Sequence, residues 1–382
     1  MVGMVAKQAM LMTPRLRHWI EVRGRELGFA RCGVGRVPQV GSEEERRNAG
    51  RFAEWVRTGY AGQMEYLTER DGRGRLVRES LRHSLPWAES VIVCAASYGD
   101  VSEVTMLDEV PLAKGRVARY AATGGDYHEV LEARLKALER ELRGSVPGIE
   151  TRVYVDTGPV VERNWARDAG IGWVGKNTCI LDEEAGSWLL LGVIVTSLRL
   201  PVGLWPEEAE DRCGSCTRCI DACPTGALLA PRVMDATRCI SYLTIEKKDA
   251  IEPELMEGMG RHIFGCDICQ DVCPWNVRAA EQGVGGMREL TPRAERMDVD
   301  LEVLAELAAG GFLRMFGGTP VERTGLRRLR RNVAIAMGNS GERRFLPKLR
   351  EWSQAVDEAQ REAARWAVQQ IETQYPSHSG VG

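Results

Sequence analysis

The chain has 382 residues, 44% hydrophobic and 27% charged, with a formal net charge of −3 at pH 7. That length admits two or three domains, each with its own core, and so small a charge excludes a global field that gathers nucleic acid, leaving only local basic patches. The longest apolar stretch, around Trp188 to Leu198, is far short of the roughly 20 residues of a membrane span, and Pro14 interrupts a brief apolar start. The expected compartment is the cytoplasm, where clustered cysteines indicate metal rather than disulfides.

In chain order, apolar spacing predicts a helix from Arg15 to about Phe29, then a short strand in "ARCGVGRV". A second helix is predicted over Glu43 to Thr58, and "SVIVCAASY" (Ser90 to Tyr98) reads as a buried strand by its continuous β-branched run. From Asp126 to Arg143, Val130, Leu131, Leu135, Leu138 and Leu142 share one helical face. "TRVYV" (Thr151 to Val155) is a strand, ended by Thr157-Gly158-Pro159, and Pro159 suits the first position of a helix reaching Ala169. Strands return at Thr178 to Leu181 and Ser187 to Thr196. The alternation predicts an α/β domain over 1–205. A cysteine-rich unit follows over 206–285, then an all-α unit of paired, solenoid-like helices over 286–382, broken near Gly338 to Glu342 and near Gln354. The tail "QYPSHSGVG" reads as frayed.

The stretch 206–285 holds eight of the eleven cysteines. "CGSCTRCIDACP" places Cys213, Cys216, Cys219 and Cys223 in the spacing of bacterial ferredoxins, where three thiolates hold one [4Fe–4S] cluster and the fourth reaches another. "CDICQDVCP" supplies Cys266, Cys269 and Cys273, and Cys239 in "ATRCISYL" is the nearby eighth. The crossover rule assigns Cys213, Cys216, Cys219 and Cys273 to one cluster and Cys239, Cys266, Cys269 and Cys223 to the other. Two structural zinc sites would also use four thiolates each; the tight run favours the clusters. The remaining Cys32, Cys94 and Cys179 read as small hydrophobes.

"GIGWVGKNT" (Gly170 to Thr178) satisfies two phosphate-loop patterns, yet it follows a helix and precedes a strand, the reverse of what both need. Asn177 also stands where a hydrolase loop needs Ser or Thr. Gly170 reads instead as a left-handed helix terminator.

Taken as one piece, "YVDTGPVVERNWARDAGIGWVGKNTCIL" (Tyr154 to Leu181), with "VARYAATGGDYHEVLEARLKAL", "RCISYLTIE", "RRNVAIAMGN" and the eight-cysteine pattern, closely resembles the epoxyqueuosine reductases. The resemblance spans most of residues 75–340. It implies an α/β cobalamin-binding domain, a ferredoxin-like domain with two [4Fe–4S] clusters, and a C-terminal helical, HEAT-like domain that faces tRNA. The implied reaction removes the epoxide oxygen of epoxyqueuosine at the wobble position of tRNA, consuming two electrons and two protons and releasing water. Asp156, matched to the family's acid, is expected to protonate the departing oxygen, which requires its pKa to rise; turn capping is the ordinary alternative for an Asp at that position. Arg119, Gly175, Lys176, Asn177 and Thr178 carry over as cobalamin contacts with Asp156. "DYH" begins like a cobalt-ligand motif, but Leu131 replaces its glycine, so His128 reads as a helix residue and no protein ligand to cobalt is expected. "TGGDYH" also lacks the Arg that the family commonly has beside the Asp.

"RTGLRRLRRN" is expected to leave most of its arginines exposed, and Arg327, Arg328, Arg330 and Arg331 with Lys247 form the candidate tRNA surface. The expected unit is a monomer served by an external electron donor, with no membrane partner. A reductive dehalogenase for small substrates and a non-catalytic ferredoxin-type carrier are the competing readings; the basic helical C-terminus disfavours the first and the purposeless residues 1–205 the second.

Overall fold

In the computed structural model, residues 10–99, 110–207 and 209–374 are described. The chain's first nine residues, and the expected frayed tail beyond Gln374, lie outside them. Four strands form the main sheet in the order Arg31–Arg36, Ser90–Ser97, Leu189–Thr196 and Thr151–Tyr154, and every pairing is antiparallel. The predicted strand positions agree, and the α/β reading from helix–strand alternation is realised with an antiparallel sheet. The layers are helix, sheet and helix all the same. Ser90–Ser97 is buried along its whole length because both faces are covered, which is why it reads as an unbroken apolar run. Ile92, Cys94 and Ala96 pack under Ile20 and the leucines of helix Tyr127–Ser145; Val91, Val93 and Ala95 pack under Ala166 and Ala169 of helix Glu162–Asp168.

Helix Tyr127–Ser145 buries Leu131, Leu135, Leu138 and Leu142, each contributing roughly 1.5–3 kcal/mol of apolar burial. Its cap is Asp126, whose side chain accepts from the His128 N–H at 3.0 Å. The helix expected to begin at Pro159 begins at Glu162 instead. Asp156 and Gly158 both take positive φ, 52° and 72°, and keep the chain in an irregular turn before the helix. At Gly158 a Cβ would lie 2.3 Å from the Tyr154 ring, so only glycine fits. Gly170, at φ 73°, closes the helix as expected.

A second, three-stranded sheet joins parts of the chain far apart in sequence. Lys114–Val117 lies between His262–Phe264, parallel to it, and Asp298–Asp300, antiparallel. One apolar core likewise runs from Met64 through Val117, Leu243 and Phe264 to Ile371. The cysteine-rich stretch and the helical end therefore share a core with each other and with pieces of the first 205 residues. At the C-terminus, helices Gly325–Ser340, Leu346–Trp352 and Glu358–Gln374 are separated at Gly341, which is left-handed, and around Val356. Gly338 allows the first and last of these to touch, since a Cβ there would come 2.8 Å from Ala367 and Trp366.

Candidate active site

The eight clustered thiols gather into two sets. Burial, then the neighbouring thiols Cys273, Cys213 and Cys216, push Cys219 up to about 11. The same four line a cavity of about 40 Å³ beneath Leu181 and Trp275. Cys266 is raised by burial and by Cys239 and Cys223, and Cys269 is raised by a hydrogen bond with Cys179, by burial and by Cys266 and Cys239. Chain distance and spatial grouping cross: Cys273 sits with the first run and Cys223 with the second. Among the described residues no three such groups close on one point as a single ion requires. Four thiols around a hollow fit a bulky cluster better than a zinc ion. Backbone N–H groups point at the sulfurs: Ala227 donates to Cys223 Sγ at 3.3 Å, Ser241 and Tyr242 to Cys239, and Ile268 to Cys266. Such donors stabilise thiolates and tune a cluster's potential.

A cavity of about 1750 Å³ opens between the main sheet, the cysteine-rich stretch and the helical end. Ordinary small-molecule pockets hold about 300–1,000 Å³, so this one admits something larger. Its apolar wall comes from Met64, Leu67, Val160, Leu191 and Ile245, and its polar rim from Arg78, Tyr127, Arg163, Tyr242 and Arg323. An apolar slot with an amide-binding rim suits a broad macrocycle. Among the described residues lining it there is no histidine. Cys239 of the second thiol set reaches this wall; none of the first set does.

Asp156 enters the cavity from the end of strand Thr151–Tyr154, and its left-handed backbone turns the carboxyl inward. Such a conformation costs roughly 1–3 kcal/mol and gathers at functional sites. Tyr127 Oη donates to Asp156 Oδ2 at 2.7 Å, and His128 Nε2 lies 3.8 Å from the same oxygen. The other imidazole nitrogen, Nδ1, meets Asp126 Oδ1 at 2.6 Å. Burial opposes charge on His128, but its hydrogen bond to Asp126 and the nearby Asp156 carboxylate prevail and raise it to about 9. For Asp156, burial works upward, yet His128, Tyr127 and Arg323 together hold it below the usual carboxylate range. The expectation of a raised Asp156 is thus corrected: the adjacent proton resides on His128. His128 is more than a helix-surface residue, and its signal lay in the D-x-H spacing itself, which sets a capping carboxylate beside the ring.

Several expected cofactor contacts point elsewhere. Arg119 is 2% exposed, pairs with Asp271 at 2.5 Å and Asp267 at 3.6 Å, and stacks over Trp188; it does not line the large cavity. Lys176 Nζ donates to the carbonyls of Gly214 and Cys216 at 2.6 and 2.9 Å, and Asn177 reaches the Cys269 carbonyl at 3.4 Å. Gly175 faces Leu181 and Asn177. Of these four expected contacts Thr178 lines the large cavity, while Lys176 and Asn177 brace the thiol sets and Gly175 packs beside them. Cys179, expected to be inert filler, hydrogen-bonds with Cys269.

The arginine run is also redistributed. Helix Gly325–Ser340 is enclosed on most sides, so helical periodicity does not carry its arginines to water. Arg331 is 1% exposed and donates to the carbonyls of Lys247, Asp249 and Leu243. Arg328 is tied to the Thr324, Ile245 and Arg323 carbonyls, and Arg330 to that of Leu307. Lys247 is half-buried beside Glu252 at 3.4 Å. Arg327 alone of the expected set stands free of the core, 65% exposed, with Asp357 at 2.8 Å. Arg323, which the run included without a special role, lines the cavity and faces Asp156; no sequence signal marked it.

Comparison with known proteins bears on these features. A family model described as 4Fe-4S double cluster binding domain matches residues 212–276, and one described as Epoxyqueuosine reductase QueG matches residues 78–157. An epoxyqueuosine reductase of Gloeobacter violaceus is 40% identical over 85% of this chain and 96% of that protein. One of Xanthomonas campestris pv. campestris is 37% identical over 92% of this chain and 95% of its own. A crystal structure of epoxyqueuosine reductase with an epoxyqueuosine-modified tRNA-Tyr stem loop superposes with a TM-score of 0.80 at 29% identity, covering 94% of this chain and 90% of that one. The Streptococcus thermophilus enzyme gives 0.77 at 28% identity, covering 95% and 91%.

Proposed function

The chain belongs to the epoxyqueuosine reductase family, and from that premise we propose that it reduces the epoxide of epoxyqueuosine in tRNA to the alkene of queuosine. Two electrons and two protons are taken up and the oxygen leaves as water. The observation that carries this reading is the shared cavity. Cys239, from one four-thiol set, meets Asp156 and its partner Tyr127 on the same 1750 Å³ space, with His128 behind Asp156 at 3.8 Å. Electrons and protons thus converge where a nucleoside has room to enter.

Two [4Fe–4S] clusters, on Cys213, Cys216, Cys219 and Cys273 and on Cys223, Cys239, Cys266 and Cys269, supply the electrons one at a time. Cobalamin, when bound in the cavity, supplies the low-potential two-electron chemistry that opens an epoxide. The chain's own part is binding and proton management. Thr178 and the arginine rim grip the cofactor and substrate; the proton is held on His128, and the Asp156 carboxylate beside it relays that proton to the departing oxygen. Proton delivery of this kind is worth roughly 10²–10⁴-fold. The division of labour follows the three stretches, with 1–205 holding the corrinoid, 206–285 the clusters, and the HEAT-like helices of 286–382 facing the RNA. Arg327, with the exposed Lys248 beside it, offers the phosphate contact of that face. With so few free cations, recognition rests on a flipped wobble nucleoside more than on backbone charge. Among the described residues no helix is long and apolar enough to cross a membrane.

The test is to rebuild the protein anaerobically with iron, sulfide and cobalamin, add a reductant and epoxyqueuosine-containing tRNA, and weigh the nucleosides. The expected product is lighter than the substrate by one oxygen. Unchanged epoxide, with both clusters and the corrinoid bound, would overturn the reading.

A further inference from the structure

Breaking both carbon–oxygen bonds of an epoxide delivers two protons to one oxygen, and Asp156 with His128 forms one route for them. Resting on the epoxide-reduction reading, the question is where the second proton is held. Glu162 opens the helix Glu162–Asp168 and lines the same cavity as Asp156. Its Oε1 is shut off from solvent and has no hydrogen-bond partner. A buried carboxylate normally recruits a cation or donors, and two guanidiniums stand near. Both are committed elsewhere. Arg78 donates to the carbonyls of Val160 and Tyr66, and Arg163 to the carbonyl and hydroxyl of Thr178. A carboxyl that lines the reaction space and keeps one oxygen unpaired and shut off from water is the arrangement of an acid held in its protonated form.

We propose that Glu162 is the second proton donor of this cavity, giving its proton to the substrate oxygen as the second carbon–oxygen bond breaks. The balance is epoxide plus two electrons plus two protons to alkene plus water. The first bond breaks with a proton from the Asp156–His128 side and leaves a hydroxyl; the second breaks with the proton of Glu162, so that water departs rather than hydroxide. Glu162 then regains a proton from solvent. The electrons come from the iron–sulfur clusters of the proposed function.

The charged groups facing Glu162 agree with this role. Burial, then the Asp156 carboxylate, push it up to about 7, and its own backbone N–H, Arg78 and Arg163 only moderate the shift. On the other side of Asp156 stand His128, Tyr127 and Arg323. Tyr66, Tyr120 and Glu246 also face Asp156 or Arg323, and Glu54, Glu69, Arg51, Arg152, Arg167 and Arg232 stand further around the lining. At neutral pH, Asp156 is therefore ionised beside a charged His128, while Glu162 retains a substantial protonated fraction. The site holds two proton stores of different strength.

The experiment pairs an infrared titration of the purified protein with single turnover of the reconstituted holoenzyme across pH, for wild type, Glu162→Gln and Glu162→Asp. The titration is expected to show a carboxyl band that disappears as pH rises through about 7 and is missing in Glu162→Gln. The wild-type rate should decline over the same range. Glu162→Gln should be slower by about 10²-fold and lose that decline, with tRNA binding and iron content unchanged; Glu162→Asp should recover part of both. An active wild type whose Gln variant keeps its rate and its pH limb, or a protein with no such band, overturns the inference alone. A reconstituted wild type that leaves the epoxide intact removes the proposed function and this inference with it.

Discussion

The two four-thiol sets obey one spacing rule and inhabit different surroundings. Cys213, Cys216, Cys219 and Cys273 sit under a small cavity near the surface, with exposed Ser215, Thr217 and Arg218 around them. Of Cys223, Cys239, Cys266 and Cys269, Cys239 and Cys266 border the large apolar core, and Cys239 reaches the active-site cavity. Equal ligand sets thus acquire unequal surroundings: the outer one lies by the surface, and the inner one sends Cys239 to the cavity wall. Spacing identifies the ligands, while position in the fold tells the two sets apart.

The largest effect that bears on this contrast is expected at Cys239. Cys239→Ala should remove about half of the iron and abolish turnover under every reducing regime, measured by metal analysis and nucleoside mass. Cys213→Ala should cost the same iron but keep single turnover when a small-molecule reductant reaches the inner cluster directly. Equal loss in both variants would erase the distinction. Asp156→Asn should keep iron and visible absorption and lower the single-turnover rate by roughly 10²–10⁴-fold, which separates proton delivery from electron delivery.

Smaller effects test the arginine helix. Arg331→Met strands the Lys247, Asp249 and Leu243 carbonyls and should reduce unfolding free energy by roughly 2–3 kcal/mol, seen by chemical denaturation. Arg327→Ala should leave stability unchanged and reduce the salt slope of tRNA binding by about 0.7–0.9. An opposite ranking of these two would restore the exposed-arginine expectation that the structure overturns.

Much of the fold was legible because its local causes are local. The leucines of Tyr127–Ser145, the doubly buried Ser90–Ser97 and the left-handed Gly170 all announce themselves over a few residues. The antiparallel pairing did not, since alternation of helix and strand carries no information on strand direction. Lys176 and Asn177 carry over as cofactor contacts from the family motif alone; in space their side chains reach the backbone of the thiol-bearing segments. The apolar stripe of Leu326, Leu329 and Val333 predicts that most arginines of the run are exposed, and the exception at Arg331 needs three carbonyls brought by another segment.

By itself, the sequence determined the eight thiols, their crossed pairing, the secondary elements and the kinship that names the reaction. Each of these depends on residue identity and on separation along the chain. The tertiary structure alone decided which thiol set adjoins the cavity, which arginines reach water, and how the protons are held on His128, Asp156 and Glu162. A pKa or a burial is set by whatever lies a few ångströms away through space, and here those neighbours come from parts of the chain up to about 170 residues apart.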